Sequence, residues 1–383
     1  MLFAIASSCN QEKDVVFNDI IQNINVEKAL NNRQKKNLSL NEFVDSLKYI
    51  PLETTPDCCI DEIQEIDYYK NNYYIFDYNK ILKFNSQGKF VCEIGNRGNG
   101  PKEYMQNRGF VIHSDTLFVN AGIKIVAFNT KDGSYLDSYP FPNRIFFNKT
   151  STSFVTLNSD TGFIEFIDKN GSVFKSLNYE KFGDREIFSD MIIYPFHNIF
   201  FGTNESLKIS TSHNDTLFEL NNNHELVARY TINLGKYKLP DNKRLEYSGN
   251  HEEFDEVTQK LVRTTYLETK NYLFIQFGNW LSDCNLLPFG INEQKANMIG
   301  LGIFSKNNNE FSIISQDKEK YPCFYPLFSD GKDHVLSFVN PIEAITFHEQ
   351  NKNRIQFNRS YDQLVKNLKI DDNPVIIIAQ LKE

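Results

Sequence analysis

The sequence predicts an all-β protein, a six-bladed β-propeller whose blades are four-stranded and antiparallel. Apolar strand-like segments recur along the chain with glycine-bearing turns between them, which is the pattern of successive hairpins. The 33 Phe and 19 Tyr among 383 residues suit the half-buried surfaces of pleated sheets. No long amphipathic helix and no alternation of strands with helices appears, which disfavours an α/β fold.

The repeat is clearest between residues 73 and 177. Each unit holds two apolar strands, a turn with glycine and a further strand, and the turn glycines are Gly88, Gly133 and Gly171. These glycines are about 40 residues apart, the length of one four-stranded blade. Looser units over residues 200–234, 272–314 and 334–347 bring the predicted number of blades to six.

The two ends of the chain are predicted to close the ring. Residues 47–52 form an early strand, residues 361–368 a helix, and residues 375–381 a final strand. Because a propeller closes by pairing strands from its two ends, we expect the first and last of these to lie in the same or adjacent blades. The predicted propeller covers residues 41–383, and the polar residues 10–40 are predicted to be a tether.

Residues 1–9 resemble the tail of a bacterial lipoprotein signal. A short apolar run is followed by Ala6, Ser7, Ser8 and then Cys9, which would become the lipidated residue. The run lacks a basic region and is shorter than a usual signal core, which leaves the position of the true start open. The alternative is an ordinary terminus with a chance cysteine.

The charge and the remaining cysteines exclude several classes of function. A net charge of −8 argues against nucleic-acid binding, and no apolar run is long enough to span a membrane. Cys58, Cys59, Cys92, Cys284 and Cys323 show no zinc-ligand spacing. We therefore expect no metal and no cofactor, and membrane contact only through a lipid anchor.

Three segments in order resemble one family, the six-bladed β-propeller lipoproteins of Bacteroidota. Residues 49–55 (YIPLETT) match its YIPLET strand, residues 94–104 (IGNRGNGPKEY) its IGxxGxGPGEY loop, and residues 372–377 (DNPVII) its DNPV closing strand. The sequence departs from the pattern at Lys102, where the family usually has glycine. The resemblance implies a propeller and a lipoprotein of a Gram-negative cell envelope, at the outer membrane and facing the periplasm or the surface. It implies no particular biochemical activity.

The loop from Gly95 to Tyr104 is the first candidate site. Gly95, Gly98 and Gly100 remove Cβ atoms, so their backbone N–H groups could converge on an anion, with charge added by Arg97 and Lys102. The alternative is a structural turn between blades that includes Pro101, with Glu103 held by backbone N–H groups or by Arg97. The candidate ligand-binding residues in this loop are Arg97, Lys102, Glu103 and Tyr104.

Other candidates lie outside this loop. Trp280, Tyr321 and Tyr325 are candidate ligand-binding residues, as exposed rings of a sugar-binding platform, but burial in the core is the favoured interpretation. The acidic cluster from His251 to Glu256 could hold a cation but is better explained as a solvated insertion. No HExxH or GxSxG motif occurs, so no catalytic residue is assigned.

Two functions remain in competition on the sequence. The first is a non-catalytic binding or scaffold module of the cell envelope, with a glycan or an envelope protein as its partner. The second is a glycan-active hydrolase or lyase with acids gathered at the mouth of the propeller. Carboxylates converging on the axis would favour the enzyme, whereas a shallow aromatic rim would favour the binder.

Overall fold

The structure is a computed structural model. It describes residues 15–16, 21–32, 38–105, 108–142, 144, 146–158, 163–178, 200–203, 206–210, 215–239, 261–278, 298–315 and 317–383.

The amino-terminal part contains four strands and one helix. These are β1 (Val15–Val16), β2 (Gln22–Asn25), α1 (Val26–Asn32), β3 (Leu38–Ser39) and β4 (Val44–Pro51). A short 3-10 turn at Leu40–Glu42 precedes β4.

The first three blades follow in chain order. Blade 1 contains β5 (Ile63–Tyr69), β6 (Asn72–Asp77), β7 (Lys80–Asn85) and β8 (Phe90–Glu93). Blade 2 contains β9 (Phe110–His113), β10 (Thr116–Asn120), β11 (Lys124–Asn129) and β12 (Tyr135–Pro140). Blade 3 contains β13 (Phe147–Lys149), β14 (Phe154–Asn158), β15 (Phe163–Ile167) and β16 (Val173–Asn178).

The last three blades use strands from both ends of the chain. Blade 4 contains β17 (Phe200–Thr203), β18 (Ser206–Ile209), β19 (Thr216–Leu220) and β20 (Leu226–Asn233), with β1 and β2 added beside β20. Blade 5 contains β21 (Arg263–Glu268), β22 (Tyr272–Gly278), β23 (Met298–Ser305) and β24 (Glu310–Ser315), with β3 beside β24. Blade 6 contains β25 (Phe328–Ser329), β26 (His334–Val339), β27 (Val375–Leu381) and β4, with α2 (Pro341–Asn351) and α3 (Arg359–Asn367) inserted before β27.

The six-bladed propeller is confirmed, and its ends close as expected. β4 pairs antiparallel with β27 from Pro51–Val375 to Val44–Leu381, so the outermost strand of blade 6 comes from the beginning of the chain. The buried Asn373 side chain reinforces this closure: its Nδ2 donates to the Glu53 and Cys58 carbonyls at 2.7 Å each, and its Oδ1 accepts from Ile60 N at 2.9 Å. This asparagine is the second residue of the DNPV segment.

The hairpin turns that recur about every 40 residues share one geometry. Asn85, Asn129, Asp168 and Asn221 each accept, through the side-chain oxygen, the N–H two residues further on, which stabilises the hairpin turn. Gly88 lies at φ +78°, and a Cβ there would lie 2.2 Å from the Pro51 carbonyl oxygen of blade 6. The turn glycine is therefore required both by backbone angle and by contact with the preceding blade.

The segment predicted as a tether lies in part against the blades. Its described residues, 15–16, 21–32 and 38–40, form together with β4 what we call the belt. β1 and β2 pair with the outer strand of blade 4, β3 pairs with that of blade 5, and β4 is itself the outer strand of blade 6. Ile24, Val26 and Leu30, whose neighbours in the sequence are mostly polar, are buried there in an apolar cluster with residues of blades 4 and 5. The belt covers backbone edges of β20 and β24 that would otherwise have been exposed.

One strand prediction ends early. Residues 334–347 were expected to be extended, but β26 stops at Val339 and α2 begins at Pro341. The Asn340 side chain and Glu343 form a reciprocal capping box, and proline occupies the first helical position. The predicted helix near residues 361–368 is confirmed as α3.

Candidate functional site

Two kinds of connection meet on one face of the ring. These are the turns between the second and third strands of a blade and the segments that lead from one blade to the next; we call this side the connection face. Arg97 Nη1 of such a segment donates to Asn79 Oδ1 at 2.7 Å, and Phe141 N donates to the Ile123 carbonyl at 3.0 Å. The α2–α3 insertion starts and ends at this face as well, because it joins β26 to β27.

Exposed apolar side chains concentrate on part of this face. Nine large apolar side chains are exposed in the described part of the chain, and five of them lie on the connection face of blades 6, 1 and 2. These three blades are consecutive, because β4 of blade 6 leads directly into blade 1. We call the five residues the apolar sector: Tyr78, Met105, Ile123, Ile342 and Ile370, which are 59%, 46%, 76%, 48% and 62% exposed.

The loop from Gly95 to Tyr104 folds as an ordered turn between blades 1 and 2. Gly100 N donates to Glu103 Oε2 at 2.9 Å, so a carboxylate of the chain itself lies where the sequence allowed an external anion. A Cβ on Gly98 would lie 2.0 Å from that same oxygen, which explains the second glycine. Tyr104 is buried, and its hydroxyl donates to the Ile94 carbonyl at 2.9 Å.

The two cations of this loop are exposed but both have neighbours. Arg97 contacts Asn79 rather than Glu103, and Lys102 Nζ lies 5.3 Å from the centre of the Tyr135 ring. Lys102 does not adopt a positive φ, so this lysine is accommodated without backbone strain. Lys124 Nζ closes the far side of the loop by donating to the Gly100 carbonyl at 2.8 Å.

The predicted aromatic platform is wrong in its exposure. Tyr321 and Tyr325 are each 3% exposed and belong to the core of blades 5 and 6. The Tyr325 hydroxyl donates to the Gly300 carbonyl at 2.8 Å, and the hydroxyl of Tyr321 donates to Asn41 Oδ1 at 3.3 Å. Both rings therefore contribute to the core and are not available to stack on a sugar. Trp280 lies outside the described residues, as do Cys9 and the cluster from His251 to Glu256.

Two carboxylates lie on the innermost strand of blade 1. The first strands of adjacent blades contact one another around the axis, and Glu65 and Asp67 occupy alternate positions of β5. Burial raises the pKa of Glu65 to about 8, against a hydrogen bond from Phe110 N at 3.3 Å, and the nearby Asp67 charge adds to the rise. Burial, together with the charge of Asp330, raises the pKa of Asp67 to about 6. No lysine or arginine of the described residues forms an ion pair with either.

A further acidic group borders this strand at the turn after β25. Potential ligand atoms of Asp330, Asp333 and His334 lie within 4.8 Å of one another. His334 Nδ1 lies 2.8 Å from Asp330 Oδ2, and this hydrogen bond raises the pKa of His334 despite partial burial. Asp330 Oδ1 also accepts the backbone N–H of Lys332, so the group forms part of the turn itself.

Sequence reasoning missed both the apolar sector and the axial carboxylates. β5 was not recognised because a bulge between Ile63 and Glu65 interrupts its alternation. A usable signal was present in Glu65, Ile66 and Asp67, where acids flank an apolar residue in a strand-length segment. Isolated residues such as Ile123 and Ile370 give no signal until the blades bring their turns to one face.

A comparison with protein families finds one family that matches most of the chain. A family described as a domain of unknown function, DUF4934, matches residues 21–380. The chain belongs to this family. The comparison with curated proteins finds no match.

Solved structures share the fold. A candidate exported protein of Bacteroides fragilis superposes with a TM-score of 0.72 at 15% identity, over 95% of this chain and 100% of that chain. A DUF4221 family member of Bacteroides vulgatus gives a TM-score of 0.48 at 13% identity, over 88% and 97% of the two chains. Virginiamycin B lyase of Staphylococcus aureus gives 0.42 at 11% identity, over 87% and 99%. The first likeness shows the propeller fold, and the other two are too distant to support a functional argument.

Two further findings concern the cysteines and the helices. Cys58, Cys59, Cys92 and Cys323 are free thiols among the residues that the structure describes. In the same part of the chain, no helix is long and apolar enough to cross a membrane.

Proposed function

We propose that this protein is a non-catalytic binding or scaffold module of the bacterial cell envelope, and that it engages an envelope protein through the apolar sector. The observation that carries the proposal is the concentration of five exposed apolar side chains on one face of three consecutive blades. Exposed apolar groups that cluster on a soluble domain mark interaction surfaces, whereas scattered ones need no explanation.

The chemistry of the sector favours a protein over a glycan. Four of its five side chains are aliphatic or thioether, and only Tyr78 offers a flat ring. Sugar recognition stacks apolar sugar faces on aromatic rings, and the two described tyrosines that could have formed such a platform are buried. A protein partner with its own apolar patch fits this surface better.

The proposed location is the outer membrane, with the chain held there by a lipid on Cys9. The lipoprotein-like residues 1–9 and the family resemblance support this, as does the fold shared with a candidate exported protein of Bacteroides fragilis. Metabolic labelling with a fatty-acid probe tests the anchor. We expect label on the wild-type protein and none on Cys9→Ala, which should leave the membrane fraction. A wild-type protein without label would remove the lipoprotein claim.

A glycan-active enzyme remains the second candidate because of one observation, the pair of axial carboxylates. A carboxyl group with its pKa raised to about 8 is protonated at neutral pH and could serve as a general acid, while Asp67 would be largely ionised. A screen of envelope glycans should find no turnover under our proposal. Turnover that is lost in Glu65→Gln would establish the enzyme instead.

Site-specific photo-crosslinking in the host tests the proposed surface. A photoreactive phenylalanine analogue at position 123 or 370 should give a discrete crosslinked product with an envelope protein. Matched controls carry the analogue at positions 91 and 136, which are also exposed and apolar but lie on the outer strands of blades 1 and 2. Crosslinks of equal yield at all four positions, or at the controls alone, would contradict the proposal.

A further inference from the structure

The outer strand of blade 3 carries two adjacent exposed apolar residues. Val173 is 42% exposed and Phe174 is 53% exposed, both at the start of β16. Phe174 is the extra residue of a β-bulge, opposite Phe166 and Ile167. Val91 and Leu136 occupy the same bulge position in blades 1 and 2, so three outer edges present one apolar residue at equivalent places.

The belt begins beside Phe174 and not beside the other two. Val15 pairs with Leu226 and Val16 with Val227, at the start of β20 in blade 4. The turn that leads into Leu226 contacts blade 3, because the His224 ring lies 5.6 Å from the Phe174 ring. Lys175 Nζ also donates to the Asn223 carbonyl at 3.3 Å. The first described residue of the chain therefore lies next to the exposed edge of blade 3.

The covalent chain limits how far this edge can lie from a lipid on Cys9. Six residue steps separate Cys9 from Val15, and a fully extended chain of that length spans about 20 Å at most. Any membrane that holds the lipid must lie within that distance of the start of β20. Of the three bulge positions, only the one in blade 3 adjoins this point.

We propose that the outer edge of blade 3, with Val173 and Phe174 at its centre, rests on the surface of the membrane that holds the lipid anchor. This inference rests on the proposed anchor at Cys9 and goes beyond an attachment through the lipid alone. Apolar side chains that reach the boundary between headgroups and acyl chains add buried apolar area to the attachment. Lys169 and Lys175 flank the edge and attract anionic headgroups, and the Asp168 carboxylate beside them is held within its turn by the N–H of Ser172.

The contact also sets the orientation of the proposed binding surface. In a ring of six blades, blade 1 lies opposite blade 4. The apolar sector is centred on blade 1, whereas the anchor leaves from blade 4. With the edge of blades 3 and 4 against the lipid, the sector lies on the side of the ring that is furthest from the membrane and open to a partner.

Tryptophan quenching by brominated lipids tests the contact. The single native tryptophan is removed as Trp280→Phe, and Phe174→Trp is compared with Leu136→Trp, its equivalent in blade 2. Six histidines replace residues 3–8 in a Cys9→Ala chain, and nickel-chelating vesicles of phosphatidylethanolamine and phosphatidylglycerol with brominated acyl chains supply the attachment. The result is thereby independent of lipidation in the host, which the fatty-acid label tests separately.

We expect several-fold stronger quenching at position 174 than at position 136, and loss of that difference when imidazole releases the protein. Equal quenching at the two positions, or no quenching at 174 while the protein stays on the vesicles, would overturn the proposal. Circular dichroism and the urea midpoint confirm that both variants are folded. A Phe174→Asn chain gives a second readout: its hydrogen exchange over residues 173–178 should no longer slow on vesicle binding, as it should in the wild type.

Discussion

Carboxylates of the propeller wall occur in two contrasting settings. Between blades 4 and 5, Glu268 is buried and lies 2.7 Å from both Lys208 Nζ and Lys306 Nζ. On the axial side of blade 1, Glu65 receives one backbone hydrogen bond at 3.3 Å and pairs with no cation of the described residues. The first carboxylate joins two blades, whereas the second remains free to titrate near neutral pH.

The difference distinguishes carboxylates that stabilise the fold from carboxylates that could take part in a reaction. Lys208 also lies 3.2 Å from Glu219, and Arg229 lies 2.9 Å from the other oxygen of Glu219, so the network between blades 4 and 5 is compensated group by group. Such a network holds two elements in register and has no need of a ligand. Among the described residues the axial pair has no such compensation, and this gives the competing enzyme hypothesis its physical support.

The largest effect is expected where the compensated network is broken. Glu268→Gln removes the counter-charge that the buried Lys208 and the half-buried Lys306 share, and should lower the free energy of unfolding by about 3–5 kcal/mol. Urea denaturation measures it. The matched control is Lys70→Ala at the exposed Lys70–Asp115 pair, which should change stability by at most about 1 kcal/mol. Equal effects of the two substitutions would contradict the distinction.

The axial carboxylate of Glu65 should make the free energy of unfolding depend on pH. The folded-state pKa of Glu65, about 8, lies above its unfolded value of about 4.3, so the folded state keeps a proton that the unfolded state has released. Its contribution to stability is complete below pH 4 and is lost as the pH rises to about 8. Glu65→Gln should therefore be more stable than wild type at pH 8, by on the order of a few kcal/mol. Parallel wild-type and variant curves of unfolding free energy between pH 5 and pH 9 would rule out a raised pKa.

Within the compensated network, the pKa of Glu219 is shifted in the opposite direction from that of Glu65. Burial alone would raise its pKa, but hydrogen bonds and charges from Arg229 and Lys208 bring it below the usual value. Its contribution is present above the unfolded pKa and is lost as the pH falls through the folded one. Glu219→Gln should thus lose its stability deficit at acid pH, whereas Glu65→Gln gains its advantage at alkaline pH. Unfolding curves of the two variants on one buffer series show whether the settings differ as described.

A smaller effect is expected in the loop of blades 1 and 2. Gly98→Ala should displace the Glu103 carboxylate from Gly100 N and cost about 1–3 kcal/mol, the range of a hydrogen bond to a charged group. Glu103→Ala should cost a similar amount, and the double variant little more than either alone, because both remove one interaction. Arg97→Ala should leave the melting temperature unchanged. Additive losses in the double variant would show that Gly98 is needed for another reason.

The repeating parts of the fold could be predicted from the sequence because their signals are local. Turn residues such as Asn85 and Gly88 determine their own hairpins, and the two terminal strands are marked by apolar runs that end at turns. The belt could not be predicted, because Ile24, Val26 and Leu30 are single apolar residues whose burial depends on a surface built 200 residues later. The strand β5 was hidden by its bulge and its acids.

The candidate site was predictable only in its structural part. The loop with Glu103 was recognised, and its structural alternative describes the contacts found, because the glycines and the acid lie within ten residues. The burial of Tyr321 and Tyr325 was the favoured interpretation but could not be settled from the sequence, since it depends on which strands cover them. The apolar sector arises from turns and connections of three blades, and no local pattern in the sequence shows that Ile123 and Ile370 lie on the same face of the ring.

The claim that function lies in the apolar sector and not on the axis is tested most directly by one binding comparison. The partner crosslinked at position 123 is purified, and its affinity is measured for wild type, for Ile123→Asp with Ile370→Asp, and for Glu65→Gln with Asp67→Asn. The account predicts that the sector variant loses at least tenfold in affinity while the axial variant binds like wild type, with both folded. Binding that is lost in the axial variant and kept in the sector variant would contradict it.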